Sequence, residues 1–130
     1  QLGLTPGDMY GAIVQANEKL TAGDAMGAFS DFATMVLMDP TAVEFQIGLA
    51  EAAIMAGHSE LALQAAAIVI TETPDRPEGF YLSGRACLAM GERELAVEDL
   101  TQALANCEGK SDLAHVAAST KHFLSVAQAE

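Results

Sequence analysis

The chain has no tryptophan and only two tyrosines and five phenylalanines in 130 residues. A core drawn from this stock must come from close helix contacts, because large rings are too few to fill it. Cysteine is almost missing too, with Cys87 and Cys107 alone. Two thiols make no disulfide framework, and a reducing, cytosolic compartment is expected. Cys87, within the helical pattern "GRACLAMG", reads as a small buried residue. Cations are scarce: six Lys and Arg stand against eighteen Asp and Glu, a formal net charge of −12. Phosphate binding needs clustered Lys and Arg, so nucleic acid is excluded as a partner and an anionic membrane surface is disfavoured. No apolar run reaches the roughly 18 residues that a membrane span needs. Gln1 is not a start methionine, so a longer or processed chain is expected, and no signal-peptide pattern is visible in the residues given.

What is abundant is small and apolar. About half of the chain is hydrophobic (51%), and alanine leads. An acidic, alanine-rich chain is soluble and repels its own copies, which suits a holder of apolar partners as well as plain solubility. The small residues also recur. Gly23, Gly57 and Gly91 are 34 residues apart, and so are Ala28, Ala62 and Ala96. Ala16, Ala50 and Gly84 keep the same spacing, as do Pro40 and Pro74, with Glu108 where a third proline would fall. A period of 34 residues is the tetratricopeptide period, one antiparallel helix pair per unit.

Physical chemistry supplies the roles. The glycine ends the first helix, A, of each unit, because a left-handed turn residue there carries no side-chain penalty. Asp24, and Ser59 in the second unit, are placed to cap the second helix, B. Small residues on both helices let the backbones approach, and the proline after B stops that helix. Helices are predicted at about 8–22, 25–38, 42–56, 59–72, 77–90 and 93–106. An amphipathic stretch at 111–128 supplies the terminal cap that a solenoid requires. The expected fold is all-α: one domain spanning 1–130, with repeats at about 9–42, 43–76 and 77–110 and a capping helix, wound as a right-handed superhelix.

Catalytic chemistry leaves no persuasive trace. His58 falls in a turn, and His115 and His122 have no cysteine or carboxylate at metal-ligand spacing beside them. No GxSxG elbow occurs, and the glycines follow the repeat instead of gathering into a phosphate loop. Neither a metal nor a cofactor is expected. What remains is surface. The A helices of such a superhelix line its concave side, and the inward positions recur. In the first unit they include Tyr10, Ile13, Val14, Asn17, Leu20 and Thr21. In the second they are Glu44, Ile47, Gly48, Glu51, Ile54 and Met55. In the third they are Glu78, Tyr81, Leu82, Arg85, Leu88 and Ala89. Such a stripe is apolar enough to hold an extended peptide, with the two tyrosines as stacking anchors and Gly48 leaving a shallow hollow. Tetratricopeptide domains that grip the acidic tails of heat-shock chaperones carry a basic groove. Here only Asn17 matches such a place, while Glu44, Glu51 and Glu78 would repel an acidic tail.

The stretch "VLMDPTAVEFQIGLAEAAIMAG" resembles the second repeat of the class II type III secretion chaperones, the SycD/LcrH-like group. Leu37, Asp39, Phe45, Ile47, Gly48 and Leu49 match that group's LD step, phenylalanine and LGLG, with one residue inserted in the step. "PEGFYLSGRACLAMGERELA" is similar to the third repeat, and the helix after "EGKSD" agrees in length and place. The resemblance covers about residues 9 to 128. Two features depart from the group. Ile13, Asn17 and Leu20 stand where groove aromatics are common, and the N-terminal dimer helix is absent or reduced to "QLGLTPGD".

The resemblance implies a cytosolic bacterial chaperone that binds hydrophobic translocator proteins before export. It keeps them soluble, apart and protected from proteolysis, with a short extended segment in the concave groove and homodimerisation possible. Ile13, Asn17, Leu20, Ile47, Gly48 and Glu51 would line that groove with Tyr81, Leu82 and Arg85. A generic tetratricopeptide adaptor is the alternative, and a regulatory domain cut from a larger enzyme or receptor is a third.

Overall fold

The computed structural model describes residues 6–129. Residues 1–5, the first part of the "QLGLTPGD" stretch expected to stand in for a reduced N-terminal helix, lie outside the described residues. The helices are α1 (Pro6–Thr21), α2 (Ala25–Met38), α3 (Val43–Met55), α4 (Ser59–Glu72), α5 (Glu78–Ala89), α6 (Arg93–Cys107) and α7 (Ala114–Gln128). A single 3₁₀ turn, Ser111–Leu113, leads into α7. The helix positions agree with those expected from the 34-residue spacing to within a few residues at each end.

Glycine closes every A helix in the same way. Gly23, Gly57 and Gly91 have φ of 86°, 85° and 80°. At each turn the glycine N–H returns to the carbonyl three residues back, and the following N–H to the carbonyl five back. Asp24 thus donates to Lys19 (2.8 Å), His58 to Ala53 (2.7 Å) and Glu92 to Cys87 (2.8 Å). This double return satisfies the last carbonyls of the helix and reverses the chain. Asp24 caps α2, its carboxylate accepting from the Gly27 N–H at 2.9 Å. Ser59 does not cap α4: it is the first helical residue, and His58 holds the cap position without a side-chain bond. The register explains the difference, since one 34-residue period after Asp24 falls on His58. Where a third proline would stop α6, Gly109 at φ 75° follows the extended Glu108.

Alanine does most of the packing. Ala16, Ala28, Ala50, Ala62 and Ala96 are fully buried, as the close approach of paired helices demands. A Cβ added to Gly84 would stand 2.6 Å from the Leu100 side chain, which would have to shift to admit it. The larger anchors are few: Phe32, Leu82, Leu100 and Val69 are among the largest fully buried side chains. Each contributes about 1.5–3 kcal/mol by leaving water.

Sequential helices pack against one another along the chain, and α1, α3, α5 and α7 also touch in series. The odd-numbered helices therefore form one layer, with α2, α4 and α6 behind it. This is an all-α fold of three helix pairs and a final helix. α7 extends the inner layer as well as capping the end.

Candidate functional site

The inner layer encloses a cavity of about 340 Å³. Ile13 and Asn17 of α1 form one wall, followed by Glu44, Ile47, Gly48 and Glu51 of α3. Glu78, Tyr81 and Leu82 of α5 continue it, and His115, Val116 and Ser119 of α7 close the far side. Phe32 of α2 forms the floor.

The repeat explains why these residues meet. Ile13, Ile47 and Tyr81 occupy one column at 34-residue spacing, and the column continues to His115. Gly48 and Leu82 continue to Val116 in the next column, and Asn17, Glu51 and Arg85 continue to Ser119 in another. The α7 wall was missed because the period was not carried past the third unit. The spacing itself was signal enough to find it.

Several expected positions are used differently. Gly48 lines the cavity, but the space its missing side chain leaves is taken by Phe32. Gly48 is buried, and a Cβ there would lie 2.1 Å from the Phe32 ring, so the missing side chain makes room for Phe32 from below. Leu82 is only 2% exposed and joins the central core, so it forms wall more than contact surface. Ile47 and Tyr81 are half-buried and reachable from the cavity. Tyr10 is 71% exposed and is not among the residues lining the cavity. Leu20 packs into the N-terminal core, and Met55, at the end of α3, projects outward.

Arg85 is committed inside the structure. Its Nη1 donates to both Glu51 carboxylate oxygens, at 2.9 and 3.0 Å. Its guanidinium lies 5.4 Å from the Tyr81 ring centre and 5.0 Å from that of Phe123. Tyr81 and Phe123 meet edge to face at 6.0 Å. This group clamps α3, α5 and α7 together and holds the cavity's shape. At the other edge Arg76 reaches both Glu44 and Glu78 at 3.2 Å. Burial works to lower the Arg76 pKa, but Glu78 and Glu44 outweigh it and the net direction is upward.

Away from the cavity, Ser83 donates to Asp99 at 2.6 Å and ties α5 to α6. Burial pushes the Asp99 carboxyl above its ordinary range, and burial also raises the Cys87 thiol beside it. These groups serve packing. Among the described residues no set of His, Cys, Asp and Glu has the geometry to hold a metal ion. No helix there is long and apolar enough to cross a membrane. A second hollow of about 380 Å³ lies on the outer layer between α2 and α4, lined by apolar residues such as Phe29, Val36, Leu61 and Ile68.

Stacked helix pairs with a glycine-closed turn and an inner cavity define a tetratricopeptide-type superhelix. Its likeness to solved structures is narrower than that class. PcrH from Pseudomonas aeruginosa superposes with a TM-score of 0.86 at 19% identity, over 98% of this chain and 96% of PcrH. The Yersinia enterocolitica chaperone SycD, solved with a peptide of the translocator YopD, gives 0.82 at 16% identity over 95% of each chain. A type III secretion complex from Aeromonas hydrophila gives 0.84 at 20% identity, over 95% of this chain and 83% of that one. The chain therefore has the fold of the type III secretion translocator chaperones. By sequence alone, no family model and no curated protein matches it.

Proposed function

We propose that this protein is a non-catalytic, cytoplasmic chaperone that holds a hydrophobic type III secretion translocator in its concave groove before export. One observation carries the proposal: the cavity sits on the inner layer of a fold shared with SycD and PcrH, both solved with translocator segments bound. Ile13, Ile47 and Tyr81 present apolar surface to the extended segment, and Asn17 and Ser119 offer polar atoms to its backbone. Affinity comes from apolar area and backbone hydrogen bonds, less the cost of ordering the segment. No cofactor and no turnover are involved. Self-association belongs to the same reading, since SycD has been solved as an alternative dimer.

A generic adaptor is the second reading, favoured by the apolar hollow between α2 and α4, beside which Leu37 is 84% exposed. Calorimetric titration with a proline- and leucine-bearing translocator peptide separates the two. Ser119→Trp fills the inner cavity without touching the outer hollow. The groove proposal expects that variant to lose binding at unchanged helical content, whereas full binding by Ser119→Trp refutes it.

A further inference from the structure

The charged groups in the cavity wall are all of one sign. Glu44, Glu51 and Glu78 line it, and among the described residues no lysine or arginine does. His115 is the one imidazole among the described lining residues. The two nearby arginines offset only part of this charge. Arg85 is spent on Glu51, and its side chain is 14% exposed. Arg76 is shared, reaching Glu44 and Glu78 at the same 3.2 Å distance, so these two carboxylates have one cation between them. The Glu44 side chain is 61% exposed and available to a visitor. The other cations are Lys19, Arg93, Lys110 and Lys121, none of them in the wall, and Lys19 is bound to Asp31 at 2.7 Å. The whole chain, at −12, adds a field of the same sign.

Resting on the groove reading above, we infer that the groove selects an extended segment that carries a lysine or arginine next to its apolar anchor. The anchor packs on Ile47 and Tyr81. The cation meets the Glu44–Glu78 edge, where it completes the pairing that Arg76 alone leaves unfinished. An acidic side chain at that place is repelled, which sets the choice among apolar segments of equal size.

The test is fluorescence anisotropy with dye-labelled synthetic peptides of about ten residues, rich in leucine and proline. They are identical except for lysine, alanine or glutamate beside the central leucine. The lysine peptide is expected to bind about three- to fivefold tighter than the alanine peptide, the scale of a partly exposed ion pair, with the glutamate peptide weakest. The preference should vanish in Glu44→Gln/Glu78→Gln and fade as salt is raised. Equal binding of all three, or tightest binding by the glutamate peptide, overturns the inference and leaves the groove reading standing. A preference that survives the double substitution overturns the assignment to this edge. Failure of every peptide to bind the parent overturns the inference together with the groove reading.

Discussion

The turns and the groove obey the same 34-residue period in different ways. At the turns the period repeats one residue type: Gly23, Gly57 and Gly91 share a φ of 80–86°. In the groove it repeats a place and varies the chemistry, from Asn17 to Glu51 to Arg85, and from Ile13 to Ile47 to Tyr81. The left-handed backbone of the turn admits little but glycine, so its identity is fixed by geometry. A groove position needs only to face inward, so its residue is free to be fitted to whatever is bound. The framework is therefore the uniform part of the molecule, and the cavity the individual part.

The contrast breaks hardest at the helix crossings. Ala62 is fully buried between paired helices. Ala62→Leu should cost about 1–3 kcal/mol through overpacking, seen as a lower Tm in a thermal melt. Gly57→Ala places a side chain in the left-handed turn, and an equilibrium urea titration should show a loss of about 1–2 kcal/mol. Asn17→Ser, in a groove column and exposed, should stay within about 0.5 kcal/mol in the same titration. Equal losses for the turn and the groove variants would remove the distinction.

The smallest effect concerns pH. Burial raises the Asp99 carboxyl above 3.8 in the folded protein, so the folded state holds its proton more tightly than the unfolded chain. Asp99 therefore favours folding below 3.8, and that contribution is lost as pH rises through the elevated folded value. Asp99→Asn keeps an acceptor for Ser83 and removes the titration. Its urea midpoint should gain on that of the parent as pH rises through the mildly acidic range. A constant difference between the two would contradict the burial effect.

Much of the fold was legible because it is periodic. Spacing alone located the helices, the turn glycines and the small residues at the crossings. The cap shifted from Ser59 to His58 because composition favoured serine while the period pointed one residue earlier. The site was less legible, since side-chain reach is not periodic. Nothing in the spacing says that Phe32 fills the space beneath Gly48, that Leu82 sinks into the core, or that Arg85 turns to Glu51 and two rings. The α7 wall follows the same columns, one period beyond Tyr81, Leu82 and Arg85.

Backbone hydrogen exchange, measured with and without a bound translocator peptide, tests the central claim most directly. If the inner cavity is the binding surface, protection should rise in α3, α5 and α7, with α2 and α4 unchanged where they flank the outer hollow. Protection confined to α2 and α4 would contradict the account.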